Sequence, residues 1–352
     1  MMQKEKHWMI YGANGYTGEL IARKACELGL QPTIAGRNRE KIVQLASELK
    51  LPFDVFPLKD VNKIASRLKG MNCVLHCAGP FTETSEVMAR ACLKSHTHYL
   101  DITGEIPVYS LLYDLHNEAK SADVMLLPGV GFDIVPTDCI AAKLSKKMLD
   151  AKFLSLAFMG LAGVSRGTLK SMLAQAPDGS KMRKNGEIIS IPQFSKSKMI
   201  EYKGKQLKFH AIPWGDVFTA YHSTKIPNIE VYSFFPGLFT NALQFLGSTV
   251  GLFKVPPLLH FSQFLVDQFV TGPSELARQT DKCYLWGEVQ NEAGDKLEIR
   301  YETEEGYQFT VDSSILAVLE VLKGNYMSGF QTPSLVLGND FIDKIPGSIQ
   351  KE

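Results

Sequence analysis

Three glycines at a spacing of three, in Gly12-Ala13-Asn14-Gly15-Tyr16-Thr17-Gly18, follow an apolar run and open an amphipathic one. A phosphate site needs this composition. The backbone must turn sharply, let a pyrophosphate approach without Cβ atoms in the way, and aim helix N-terminal N–H groups at its charge. A second stretch, Ala35-Gly36-Arg37-Asn38-Arg39, ends the next apolar run. At that place a carboxylate would hold a ribose 2′-hydroxyl and a basic group a 2′-phosphate. Here no carboxylate stands, and the planar fork of Arg37 suits a phosphate, which points to NADP as the cofactor. Arg37 and Arg39 also read as solvated positions at a helix start. A third stretch, Cys77-Ala78-Gly79-Pro80-Phe81, offers small residues past which a cofactor could run and an aromatic ring to cover its nicotinamide. The expected cofactor-binding residues are Gly12, Asn14, Gly15, Tyr16, Thr17, Gly18, Arg37, Asn38, Cys77, Ala78, Gly79, Pro80 and Phe81. His76, just before the third stretch, reads as a core histidine.

Hydride transfer also needs a proton source. The polar residues Tyr99, Asp101, Thr103, Glu105, Asp133 and Asp138 follow the fifth and sixth apolar runs. Tyr99 is the candidate donor, oriented by Asp101 or Glu105; capping or turn stabilisation is an equal reading of Asp101 and Asp133. Further on, Asp216, Tyr221 and His222 form a second group, with Tyr221 the catalytic candidate and His222 read as structural on a strand. No metal-ligand spacing occurs, so no metal is expected.

These residues must be positioned by elements, and the pattern supplies them. Strands are expected at Trp8 to Gly12, Thr33 to Gly36, Phe53 to Phe56, Cys73 to Cys77, His98 to Ile102 and Val124 to Leu127, alternating with helices whose inner faces are Leu20, Ile21, Ala25 and Leu28, or Val108, Leu111, Leu112, Leu115 and Ala119. That order gives an α/β fold, a Rossmann doubly wound parallel sheet. Val135 to Met148 reads as a connecting helix. A second, α+β domain with antiparallel alternation follows at Phe153 to Met159, Glu187 to Ile191, Gln206 to Ile212, Ile229 to Phe234, Leu285 to Val289 and Leu297 to Tyr301. The expected domains are 1–150 for the nucleotide, 151–310 for substrate or dimerisation, and 311–352, a helix from Ser313 to Leu322 and a tail that return to the first domain.

Lys+Arg of 38 against Asp+Glu of 37 argues against nucleic acid as a partner and for a small molecule. Six cysteines without paired spacing read as reduced thiols of a cytoplasmic protein, and the polar start leaves no room for a signal peptide. From Val231 to Phe253 no charged residue occurs. Its glycines, proline and polar residues favour a buried core, a homodimer face or a substrate tunnel over a bilayer span; peripheral membrane contact through 231–266 is the alternative. Between Ala151 and Thr310 only Arg166, Arg183, Arg278 and Arg300 could clamp carboxylates, which favours an apolar, acyl-type substrate.

Taken in order, the glycine loop, Ala35 to Asn38, Ala78 to Phe81, His98 to Glu105, Gly129 to Asp138, Trp214-Gly215-Asp216, Tyr221 to Thr224, Ile226-Pro227-Asn228, Gly272 to Glu275 and Gly329 to Pro333 resemble the saccharopine dehydrogenase-like oxidoreductases, in particular the bacterial branch of trans-acting enoyl reductases of lipid metabolism. The resemblance covers nearly the whole chain. It implies an NADP-binding Rossmann domain, a mixed second domain and reduction of a double bond: hydride to an activated C=C, or, as in saccharopine chemistry, to an imine. A non-catalytic NADP(H) sensor or scaffold is the reading of another class. Two departures are Ser165 to Thr168, where the family often has a longer Gly-rich segment, and Lys225, where glycine is usual.

Overall fold

A computed structural model describes residues 7–160, 169–170, 179–235 and 272–351 of the chain. The Ser165–Thr168 departure, and the uncharged run from residue 236 onward, lie outside the described residues. Contacts divide the chain into two units, one of 1–135 with 307–345, the other of 136–306 with 346–352.

In the first unit, β1 (Trp8–Tyr11), β2 (Thr33–Gly36), β3 (Phe53–Val55), β4 (Cys73–His76), β5 (His98–Asp101), β6 (Met125–Leu127) and β15 (Gly329–Phe330) form one sheet in the order β15-β6-β5-β4-β1-β2-β3, parallel at every pairing. The expected Rossmann sheet is thus present, extended at one edge by a strand from far along the sequence. β1, β4 and β6 are buried at every position, as strands covered on both faces must be. The strand order reverses between β1 and β4, so a crevice opens at their carboxyl ends.

The covering helices are α1 (Tyr16–Glu27), α2 (Arg39–Leu49), α3 (Val61–Leu68), α4 (Phe81–Ser95), α5 (Ile106–Asp114) and α6 (His116–Ser121). α1 buries Ile21, Ala22 and Ala25, while Leu28, expected inside, is 53% exposed because the helix has ended before it. The expected single helix over Val108 to Ala119 breaks at Leu115, yet Val108, Leu112, Leu115 and Ala119 are all buried.

In the second unit, α7 (Val135–Lys147) leads to a nine-stranded sheet: β7 (Phe153–Gly160), β8 (Ser180–Lys184), β9 (Glu187–Ile191), β10 (Ser197–Tyr202), β11 (Lys205–Ala211), β12 (Asn228–Phe234), β13 (Lys282–Gln290), β14 (Lys296–Glu304) and β16 (Ile349–Lys351). It is mixed rather than antiparallel throughout, because β12 runs parallel to β7. The division falls after Val135, not at Ala151. α7 belongs to the second unit, where Ile140 and Leu144 close over Gly287 of β13. The return of the C-terminal segment to the first unit likewise stops at Ile345, since β16 pairs with β14.

α8 (Asp216–Thr224) corrects the strand expected around His222: its first five residues, Asp216 to Ala220, are all buried, and Lys225 ends it in the left-handed conformation. After α9 (Glu275–Thr280), α10 (Gly306–Lys323) begins seven residues before the helix expected from Ser313, and α11 is Pro333–Leu337. All six cysteines are free thiols, and no described helix is long and apolar enough to cross a membrane.

A Cβ on Gly287 would meet Ile140 Cγ2 at 2.4 Å and Leu144 Cδ1 at 3.0 Å. Gly287→Ala is therefore expected to destabilise the protein by about 1–3 kcal/mol through overpacking, read as a lowered thermal midpoint; an unchanged midpoint would mean that α7 does not pack here as described.

Candidate functional site

Two sets of hydrogen bonds anchor the glycine loop at the switch point. On one side the Gly12 and Ala13 N–H groups donate to Ala35 O of β2 at 2.8 and 3.1 Å; on the other, Cys77 N–H donates to Tyr11 O at 2.7 Å. Gly12 has φ +86°, and a Cβ there would lie 2.8 Å from Ala78 N and 2.9 Å from Ala78 Cβ. A Cβ on Gly18 would lie 2.4 Å from Gly12 O. The loop is therefore closed on itself and on the turn after β4, with Gly15 as N-cap of α1 and no side chain capping that helix. Helix N-terminal N–H groups without a side-chain cap suit an anion. A pyrophosphate fits this cradle, whose shape depends on glycine: a Cβ at 12 would push the loop off Ala78, and one at 18 would push the helix off the loop's own backbone.

The other expected cofactor residues gather around it. Asn14 reaches over the end of β2, its Oδ1 2.6 Å from where a Cβ of Gly36 would be. Tyr16 packs edge-on against Tyr307 of α10, ring centroids 5.0 Å apart. Asn38 caps α2, accepting from Lys41 N–H at 3.1 Å, so its side chain has a structural task. Arg37 is exposed and makes no ion pair among the described residues; its charge is felt by the Tyr11 hydroxyl, which burial nevertheless pushes up to about 12. Phe81 stands edge-on to His76 at 5.5 Å. Thr17 lies in the first turn of α1, and Gly79 is joined to Pro80 by a cis peptide bond.

Tyr99 and Asp101 come together, but not as a donor facing substrate. Tyr99 is 0% exposed, and its hydroxyl donates to Asp101 Oδ2 at 2.6 Å. Burial, and then the Asp101 charge, push its pKa well up. Asp101 Oδ1 in turn accepts from Thr103 N–H at 3.0 Å and Gly129 N–H at 2.9 Å, tying the end of β5 to the loop after β6. The pair thus holds the rim of the crevice, and Tyr99 is too enclosed to reach a substrate. Glu105, which sequence reasoning treated only as an orienting group, accepts from Phe81 N–H at 3.2 Å and Thr82 N–H at 3.0 Å, capping α4 from the next loop. A cap 24 residues away leaves no local signature.

Asp133 is half-buried, its Oδ2 2.9 Å from where a Cβ of Gly104 would lie. Burial first, and the Glu105 charge second, push its pKa up to about 7; burial likewise takes Asp101 up to about 6 against the hydrogen bonds it accepts. Close by, Phe132 N–H donates to Thr310 Oγ1 at 3.0 Å and Ser313 Oγ to Val130 O at 2.7 Å, so α10 braces this loop. Those contacts join residues about 180 positions apart, beyond any motif.

In the second unit Tyr221 and His222 lie on α8. The Arg183 guanidinium stacks over the Tyr221 ring at 4.2 Å, and His222 stacks on Phe218 at 4.6 Å. Asp138 of α7 accepts from Ser223 Oγ at 2.7 Å. Lys225 ends α8 at φ +63°, the left-handed conformation that glycine adopts without strain, which explains why glycine suits that place. No group of three or more possible metal ligands occurs among the described residues.

The raised carboxyl pKa values have a sign. A folded pKa above the ordinary ~4 gives stability that is complete below it and lost as pH rises through the folded value. His76, pushed down to about 3 by burial, acts oppositely below about pH 6.5, so the informative quantity is a difference between variants. Between pH 6 and 8 the wild type is expected to lose thermal stability relative to Asp133→Asn; parallel melting curves across that range would refute the raised Asp133 pKa.

Residues 8–127 match the family described as the saccharopine dehydrogenase NADP binding domain. The chain is 25% identical over 246 residues to the saccharopine dehydrogenase-like oxidoreductase of Homo sapiens, covering 60% of this chain and 57% of that one. It is 28% identical over 157 residues to the trans-acting enoyl reductase of Mycobacterium leprae, covering 42% and 37%. These alignments span about half the length of the curated relatives, or less. The fold matches that of apo saccharopine dehydrogenase (L-Glu forming) from Saccharomyces cerevisiae with a TM-score of 0.68, at 14% identity and 99% coverage of both chains. Residues 8–127 are thus an NADP-binding domain of the saccharopine dehydrogenase type, and the chain has the fold of saccharopine dehydrogenase.

Proposed function

We propose that the protein is an NADP(H)-dependent oxidoreductase that reduces an activated carbon–carbon double bond in an apolar, acyl-type small molecule. The observation that carries the redox reading is the cradle at the switch point, where the Gly12 loop fits against Ala78 with no space for a Cβ and Arg37 stands exposed at the end of β2, with no ion pair among the described residues. Bound NADPH supplies the hydride.

The chain's own residues do the rest. The Gly12 to Gly18 loop and the start of α1 bind the pyrophosphate, Arg37 receives the 2′-phosphate, and the turn from Cys77 to Phe81 lines the path toward the nicotinamide. Asp133, with a pKa near neutrality, holds the proton for the carbon next to the one that takes the hydride, which is left electron-rich; burial, and then Glu105, raise that pKa, while the Glu105 oxygens are engaged by α4. Tyr99 and Asp101 keep the β5 and β6 loops in place.

An acyl-type substrate is supported by the arginines of the second unit, because carboxylate-rich substrates need guanidinium forks. Those that are described have other tasks. Arg183 donates to Val217 O and Gly186 O, Arg278 to Pro273 O, and Arg300 pairs with Glu201 and Glu298. The name of the mycobacterial relative points the same way.

NADPH oxidation by purified protein, followed against enoyl thioesters, imines and keto acids, tests the reading. Turnover of enoyl thioesters is expected, with kcat falling about a hundredfold or more in Asp133→Asn, the usual size of a lost general acid. Turnover of imines or keto acids alone would overturn the C=C assignment, and tight NADPH binding without turnover on any acceptor would replace the enzyme by a sensor.

A further inference from the structure

The turn after β4 is held by a side-chain chain that starts in the core. Thr84 Oγ1, in the first turns of α4, lies 2.7 Å from Ala78 O, 3.0 Å from Pro80 O and 3.0 Å from His76 Nε2. A hydroxyl carries one hydrogen, which goes to a carbonyl. His76 Nε2 must therefore be the N–H that donates to Thr84 Oγ1, and Nδ1 is left as a bare acceptor. That nitrogen is buried with no hydrogen-bond partner among the described residues, and His76 is 0% exposed, enclosed by Tyr11 at 5.7 Å, Phe81 at 5.5 Å and Tyr99 at 6.1 Å between ring centroids.

An orphaned buried acceptor is a desolvation cost that an aliphatic side chain would not carry. What the histidine supplies in exchange is a donor that holds the Thr84 hydroxyl on Ala78 O. Ala78 is the residue against which Gly12 closes, so the position of this turn sets the width of the cradle. Burial keeps the imidazole neutral, holding its pKa down to about 3, so the single tautomer persists through the physiological range.

We infer that Thr84 and His76 are positioning residues for the dinucleotide: their relay fixes the Ala78 carbonyl and with it the wall of the pyrophosphate and nicotinamide path. The inference rests on the NADP(H) reading above. Neither residue touches the cofactor; both act through the turn.

Direct NADPH titration and thermal melting of the full chain test it, with Thr84→Val, Thr84→Ser and His76→Leu. Thr84→Val is expected to weaken NADPH binding by roughly five- to tenfold, the worth of one hydrogen bond, with Thr84→Ser close to wild type. His76→Leu is expected to melt at or above the wild-type temperature and still bind NADPH several-fold more weakly, a split that a purely structural histidine would not give. Should Thr84→Val fail to fold, His76→Leu and Thr84→Ser still decide. Wild-type affinity in folded Thr84→Val or His76→Leu would overturn the positioning role alone. No NADPH uptake by the wild type would overturn the dinucleotide reading and the positioning role together.

Discussion

Between the end of β1 and the turn after β4 there is room for two backbones and little else. Gly12 meets Ala78 at a distance that excludes a Cβ, at a φ that disfavours one, while Tyr11 O and Ala35 O hold the loop to the strands on either side. This closeness follows from the strand order, because only where the order reverses do the first and fourth strands lie side by side with their connections leaving in opposite directions. The glycines are then a consequence of topology. The N–H groups at the start of α1, which no side chain caps, suit an anion because the loop before them can fold flat.

A second constraint is the handling of buried carboxylates. Asp101 satisfies backbone N–H groups on the loops after β5 and β6, and Glu105 satisfies two at the start of α4, so the loops at the carboxyl edge are tied to one another. Asp133 sits beside them, and burial followed by the Glu105 charge raises its pKa. The protonated carboxyl that the proposed function uses would then be a by-product of the same packing that shapes the crevice.

How much of this was legible in the sequence differs by element. The strands of the first sheet and the glycine loop were legible because parallel strands buried on both faces read as apolar runs and because a phosphate loop has a local signature. The hairpin strands β8 and β10 were not: Lys181, Arg183 and Lys184, or Lys198 and Glu201, interrupt the apolar pattern on faces that are half-solvated. β15 is two residues long and exists only because β6 offers an edge. At the site, the residue types were visible but their duties were not. Tyr99 looked like a donor and is enclosed; Glu105 looked like an orienting group and is a long-range cap; Thr84, Thr310 and Tyr307 carry no motif and matter through contacts that only folding creates.

Calorimetric titration of NADPH and NADH into the wild type and Arg37→Ala tests whether the cradle takes NADP(H) with Arg37 on the 2′-phosphate. The wild type is expected to prefer NADPH by about 10- to 100-fold, the worth of one or two charge-assisted hydrogen bonds, and this preference is expected to collapse in Arg37→Ala through weaker NADPH binding while NADH binding stays the same. Equal wild-type affinity for the two dinucleotides, or a preference that survives the loss of Arg37, would contradict it.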